Sequence, residues 1–358
     1  MSSLKKFIYS KLILLVATAL SLVGLVFVFE ASVAEAFQDF HDPYHFVRHQ
    51  AMWLILGLLM MLICSYIPYK FWQKMGPLLY VIAILLLIAT VIPGLGKAVN
   101  GASRWLVIAG VTLQPVEVLK ISMIMFFANW MSKHQKIAPF LLLTVLPTAL
   151  LMMQPDLGSA LIVLAIAFGI YFLAGGRLVH LSILGLAGIM GIAMLILIQP
   201  YRMRRITTFL NPELDPLGSS FHIRQITLAI GSGGWLGQGI GKSRQKYSYI
   251  PETSTDSIFA IVAEEIGFVG STVLVLAFLW YLKLGYSLLV IEKPMSYPYL
   301  LKGGILMWIS TQIVLNLGSV VALVPLTGVP LPFFSYGGSS LVMILCATGI
   351  LSQTSQPR

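Results

Sequence analysis

The sequence predicts an all-α polytopic membrane protein of about ten transmembrane helices, with one large extracytoplasmic loop between helices 7 and 8. Three observations predict it. The chain is 58% hydrophobic and only 10% charged, where soluble domains carry about 25% charge. Apolar windows recur at close to the roughly 20 residues a helix needs to cross a bilayer. Lysine and arginine are distributed over the loops in the alternating way that membrane topology imposes.

The windows, in order, are 7–29, 50–67, 76–93, 114–132, 138–153, 157–174, 178–199, 258–282, 300–324 and 339–353. The first follows a basic start, "MSSLKKFIYSK", and a later "AEA" at 34–36 imitates a cleavage signal. A signal peptide's apolar region is about 7–15 residues; this run is longer, so it reads as an uncleaved first span. The fifth and tenth windows are the shortest. Residues 1–358 read as a single membrane domain, with 200–257 as a large loop within it. There is no linker, low-complexity tract or obvious internal repeat, which disfavours inverted-repeat transporters. Cys64 and Cys346 both lie in apolar runs and read as small core hydrophobes.

With the N-terminus cytoplasmic, that side receives Lys5, Lys6, Lys11, Lys70, Lys74, Lys133, Lys136, Arg177, Lys283, Lys293, Lys302 and Arg358. The short outer loops receive only Arg48, Lys97 and Arg104. This follows the positive-inside rule, places both termini in the cytoplasm, and assigns most of the net charge of +10 to topology rather than to nucleic acid. The exception is 200–257, with Arg202, Arg204, Arg205, Arg224, Lys242, Arg244 and Lys246. Long loops translocate regardless of charge. This one is either a solvated basic loop or a surface for a phosphate-bearing ligand. Within it, 222–230 reads as a short amphipathic helix in the interface plane, and 231–241 as a glycine-rich turn.

The outer loops hold the unusual chemistry. Asp256 opens the eighth span in "PETSTDSIFAIVAEEIGF". With Thr253 it matches a capping box; alternatively it is a carboxylate placed to act on a lipid-attached substrate, its pKa raised by burial and Glu252 or lowered by nearby cations. Glu117 and Lys120 in "QPVEVLK" share a helix face after Pro115, as a structural ion pair lining a polar cavity or as substrate contacts. Arg104 in "NGASRWL" is an interfacial anchor or a fork for phosphate. Asp156 in "QPDLGSA" is an N-cap or lines the outer cavity. Of His41, His45 and His49, only the last two fall on one helix face if Pro43 starts the helix, which makes a metal site a minor alternative. "VPLTGVPLPFFSYGGSSLV" holds too many prolines for a regular span. It predicts an irregular buried segment in which Ser335, Tyr336, Ser339 and Ser340 offer hydrogen bonds.

The order of these motifs, together with "YRMRRITTFLNP" and "AIGSGGWLGQGIG", resembles the SEDS family of bacterial cell-wall proteins over nearly the whole chain. The stretch "FEASVAEAFQDFHDPYHFVRHQ" is more similar to its division branch than to its elongation branch. The resemblance implies a ten-helix peptidoglycan glycosyltransferase in the bacterial cytoplasmic membrane. Such an enzyme polymerises lipid II on the outer face, releases polyprenyl pyrophosphate, and works with a class B penicillin-binding protein. It places the essential aspartate on Asp256, the motif glutamate and lysine on Glu117 and Lys120, and the arginine before tryptophan on Arg104. Val116 stands where the family usually has serine. Ser257 stands where phenylalanine is common, which alters packing beside Asp256. "RHQ" stands where the family frequently has "RQ" at the start of the second span, with Arg48 as its basic residue.

The implied mechanism needs one base, because pyrophosphate leaves without strong acid help. Asp256 takes the proton from the acceptor hydroxyl, and loop cations stabilise the departing diphosphate. The expected binding set is Arg48, Arg104, Glu117, Lys120, Asp156, Arg202, Arg205, Lys242, Glu252 and Ser335. No tightly bound cofactor is expected; magnesium or manganese is a candidate auxiliary, with no metal ligands assigned. A lipid II flippase and a non-catalytic division scaffold are the alternatives. Glu264 and Glu265, roughly 12 Å below Asp256 along an ideal helix, are either part of a flippase path or held by local partners.

Overall fold

The computed structural model describes residues 3–99, 102–108, 110–134, 136–198, 203, 207–211, 220–245 and 254–353. Each of the ten predicted windows is a helix. They are α1 (Ser3–Phe40), α2 (His45–Tyr66), α3 (Tyr69–Val91), α4 (Pro115–Met131), α5 (Ile137–Met153), α6 (Leu157–Leu173), α7 (Leu178–Ile198), α9 (Ile258–Leu289), α10 (Tyr297–Val320) and α11 (Gly338–Ser352). The shorter α8 (Phe221–Gly233) lies between α7 and α9. Among the described residues, α1, α2, α3, α9 and α10 are long and apolar enough to cross a membrane, while α5, α6 and α11 are apolar but shorter.

The boundaries follow local chemistry. Pro68 forces Ile67 into the extended region (ψ 123°), so α2 ends before it. Pro115 occupies the first turn of α4, where its missing N–H is no loss. In space α11 lies along α2, α3 along α4, α6 along α10 and α1 along α9. α7 touches the bundle chiefly through α6.

One small element adds to the helical fold. Three short strands pair as an antiparallel sheet: β1 (Gly96–Val99), β2 (Ala102–Ile108) and β3 (Val111–Leu113). Lys97 faces Trp105 and Leu106 faces Leu113 across the ladder. The strands are short and bordered by glycine, so hydropathy shows only an outer loop.

A second departure lies inside α9. Gly267 (φ 66°, ψ −168°) breaks its hydrogen-bond ladder, in a region that only glycine populates readily. The freed backbone groups must find partners. The glycine-rich run supplies them: Gln238 N donates to Glu264 O (2.9 Å), Gly239 N to Glu265 O (3.0 Å), Phe268 N to Gly234 O (2.9 Å) and Val269 N to Trp235 O (3.1 Å). The run is therefore a splint for a broken helix. A Cβ on Gly267 would stand 2.2 Å from Gly237 N, and one on Gly237 would stand 2.2 Å from Glu265 O. Gly267→Ala is expected to destabilise the protein by at least about 1–3 kcal/mol. Gly185→Ala, on α7 with nothing within 4 Å, should be neutral or slightly stabilising. Thermal unfolding of the detergent-solubilised variants checks both.

α8 is amphipathic as expected. Ile226, Ala229 and Gly233 are buried, whereas Leu228 is exposed.

Candidate active site

Asp256 is set by three elements. α9 begins at Ile258 with Ser257 as N-cap, so Asp256 precedes the cap. A capping box places its acid at the third helical position, so the capping alternative does not describe Asp256; Thr253 lies outside the described residues. The Asp256 main-chain oxygen accepts from Asn316 Nδ2 (2.8 Å), which also donates to Val329 O (2.8 Å). Asp256 is 8% exposed. Its Oδ1 lies 3.5 Å from both Thr255 Oγ1 and Ser257 Oγ. Its Oδ2 lies beside Gly328, 3.9 Å from where a Cβ on that residue would sit.

Residues 321–337 connect α10 to α11 without regular structure, as the prolines predict. Val329, Leu331, Phe333 and Phe334 are buried, so the backbone between them needs partners. Gln312 Nε2 donates to Pro330 O (2.9 Å) and Gln50 Nε2 to Ser335 O (3.2 Å). Tyr336 N donates to Ser254 O (2.8 Å). Ser335 is buried, and its Oγ accepts from Leu331 N (2.7 Å); it closes its own turn. Burial, and then the nearby Glu35, raise the Tyr336 phenol above its ordinary pKa. Gly158 at the start of α6 admits this segment closely: a Cβ there would lie 2.7 Å from Thr327 O. Asn316 Oδ1 and Thr327 Oγ1 are buried without a hydrogen-bond partner among the described residues, which leaves them for a ligand group or water.

Glu117 and Lys120 form an ion pair of 2.7 Å with both side chains 2% exposed. Lys120 Nζ also donates to Gln312 Oε1 (3.3 Å) and lies 4.9 Å from the Trp308 ring centre. Gln312 and Asn316 are one turn apart on α10. The pair is thus joined through Gln312 to the irregular segment, and one turn on, Asn316 holds Asp256. This is the structural-pair alternative, with a line of contact to the proposed base.

Other expected residues are committed elsewhere. Arg104 donates to Gln154 O (3.3 Å) and Pro155 O (2.7 Å) and stands 4.0 Å from Asp156. Asp156 caps α6, accepting from Ser159 N (3.1 Å) and Ser159 Oγ (2.8 Å). Together they fix the α5–α6 turn. Arg48 pairs with Asp42 at 2.5 Å on an exposed surface. Lys242 is exposed on the glycine-rich loop. Arg202, Arg205 and Glu252 lie outside the described residues. Glu264 and Glu265 are buried and held locally: Glu264 accepts from Ser243 Oγ (2.5 Å) and Arg244 N (3.1 Å), and Glu265 from Ser243 N (3.3 Å).

Two features escape sequence reasoning. His222 on α8 lies with its Nε2 2.8 Å from Ser257 Oγ, across 35 positions of chain. An apolar groove of about 330 Å³ opens between α5, α6 and α7, lined by Leu141, Val145, Leu164, Phe168 and Leu184 and reaching Met152 and Leu157 beside the Asp156 turn.

Comparison with known proteins agrees with this architecture. The profile of the FtsW/RodA/SpoVE family, described as cell cycle protein, matches residues 10–358. Stage V sporulation protein E of Bacillus subtilis (strain 168) is 39% identical over 354 residues, covering 96% of this chain and 96% of that protein. A probable peptidoglycan glycosyltransferase FtsW of Geobacter sp. (strain M18) is 35% identical over 355 residues, covering 97% and 96%. A solved structure described as a peptidoglycan synthase complex that coordinates polymerization and crosslinking matches with a TM-score of 0.77 and 28% identity, over 95% of each chain. A sporulation protein thus stands among the relatives beside the division branch, a distinction the motifs alone do not make. The chain is a multi-pass membrane protein that belongs to the FtsW/RodA/SpoVE family.

Proposed function

We propose that this chain is a peptidoglycan glycosyltransferase that polymerises lipid II on the outer face of the bacterial cytoplasmic membrane, with both termini in the cytoplasm. Asp256 carries the reading. Its carboxylate is not used as a helix cap, its main chain is pinned by Asn316, and it sits where polar side chains and an irregular backbone converge. The Asp256 carboxylate takes the proton of the acceptor sugar's 4-hydroxyl. The oxygen so released attacks the donor's anomeric carbon, and polyprenyl pyrophosphate leaves. Cations of the basic loop, Lys242 and Arg202 and Arg205 with it, offset the growing diphosphate charge. The groove between α5, α6 and α7 is apolar and suits the polyprenyl chain, so only the head group must enter the polar site.

Three points bear on the alternatives. Glu264 and Glu265 have local partners, which removes the strongest support for a flippase path through α9. No group of three or more histidine, cysteine or carboxylate ligands assembles among the described residues; magnesium or manganese, which needs only one or two carboxylates beside the substrate's phosphates, stays a candidate auxiliary. A class B penicillin-binding protein is the expected partner, supported by the likeness to a synthase complex. The test is purified protein given lipid II, with and without that partner and with divalent ion or chelator, read as glycan strands on a gel. Strands support the enzyme. An inert protein in an intact partner complex supports the scaffold.

A further inference from the structure

We infer that His222, acting through Ser257, is a positioning residue that takes up the proton Asp256 collects in each cycle. The inference rests on the reading of Asp256 as the base.

The geometry is a three-member chain. His222 Nε2 stands 2.8 Å from Ser257 Oγ, and Ser257 Oγ stands 3.5 Å from Asp256 Oδ1. The longer contact is of the kind that tightens only when substrate is bound. Ser257 is fully buried, and as N-cap it makes no side-chain bond to its own helix. A buried hydroxyl needs partners; here those partners are an imidazole and the carboxylate next to it. His222 is only half-buried, so its proton has a route to water that a filled site denies to Asp256.

A base that makes a polymer must be emptied before each new bond. Asp256 exposes 8% of its surface, and an acceptor strand with a donor head group would cover that remainder. Protonated Asp256 then passes its proton to Ser257 Oγ while the Ser257 hydroxyl proton moves to His222 Nε2. This requires neutral imidazole with its proton on Nδ1. The imidazolium so formed releases its proton to water, and the chain is reset with every atom accounted for. When His222 is already protonated, Nε2–H donates to Ser257 and no acceptor remains. The rate should therefore fall as acid protonates the imidazole.

Among the described residues, the ionisable groups on elements packed against α8 are Arg224 on α8 itself, Lys242 and Arg244 on the loop after it, and Asp256, Glu264 and Glu265 at the head of α9. The two glutamates are already held by Ser243 and Arg244. The outer half of α10 offers Gln312, Asn316 and Ser319 and no charge.

The experiment measures initial strand-formation rates of the full chain in vesicles, over a range of lipid II up to saturation and across about pH 5.5–8.5. It uses wild type, Asp256→Asn, His222→Gln, Ser257→Ala and the His222→Gln/Ser257→Ala pair. Glutamine keeps a hydrogen bond to Ser257 but holds no proton. His222→Gln should lower kcat about 10-fold, less than the 10²–10⁴ of a direct acid–base group, with KM unchanged and the acid limb of the profile gone. Ser257→Ala should match it, and the pair should be no slower than either single, as for two links of one path. The limb is read from the shape of the profile, so a partly unfolded fraction leaves it intact. If Asp256→Asn is impaired while His222→Gln keeps the wild-type kcat and limb, the relay is wrong and the base assignment stands. If Asp256→Asn itself works at the wild-type rate, both fall.

Discussion

Asp256→Asn is expected to lower the rate of glycan strand formation by about 10²–10⁴-fold, the loss typical of a removed general base. The fold should survive. What Asp256 gives the structure is its main-chain oxygen, which Asn316 grips, and asparagine keeps that oxygen. The carboxylate does not cap α9, whose N-cap is Ser257. Amide and acid have nearly the same volume, so the gap between residues 254–257 and Gly328 is unchanged. A strand gel gives the rate, and thermal unfolding in detergent gives the stability. A large rate loss with a small change in unfolding temperature is the expected pair.

The second large effect is on stability. Lys120→Met or Glu117→Gln alone should destabilise the protein by about 3–5 kcal/mol, because each leaves the other partner's charge buried and uncompensated. The two side chains are each 2% exposed and 2.7 Å apart. Glu117 Oε2 has no second partner among the described residues to take over. The double variant, apolar on one side and neutral on the other, should regain most of the loss, since a buried pair contributes little net stability over neutral groups of similar volume. Denaturant unfolding of the four proteins closes a double-mutant cycle, in which the double variant's loss should fall well short of the sum of the two single losses. Activity should follow: Lys120 holds Gln312, and one turn away Asn316 holds Asp256.

Much of this fold is legible in the sequence, and the exceptions have physical reasons. Hydropathy finds spans because lipid demands apolar side chains over a fixed length, so every window from 7–29 to 339–353 is a helix. It does not find where a helix stops once it leaves the apolar layer. α1 runs on to Phe40, because "EASVAEAFQDF" contains good helix formers such as Ala and Glu that need no burial. It also misses the break at Gly267, since a positive φ leaves no trace in composition. The glycines of 231–241 are visible in the sequence, but their task, receiving the backbone groups of a helix 30 positions away, is not.

The site was legible in outline only. The acid at the head of α9 stands out because charge beside a span needs a reason. Arg104 and Asp156 stand out for the same reason, and Ser335 for its place in the proline-rich segment, yet their reasons are local: two carbonyl oxygens, a helix cap and a turn. A sequence shows that a polar group needs partners and not which partners it has. The contact of His222 with Ser257 shows the opposite limit: Ser257 is visible as a departure from the family, but its partner, 35 positions away, is not.

The most direct test of the central claim places lipid II in the outer leaflet alone, in vesicles holding the protein in its predicted orientation, and measures strands made by wild type and by Asp256→Asn. Polymer from wild type, with the Asn variant slower by about 10²–10⁴-fold, is the predicted result. Polymer at equal rates from both proteins, or only when substrate is supplied on the inner side, would contradict the assignment of Asp256 and of the face on which it works.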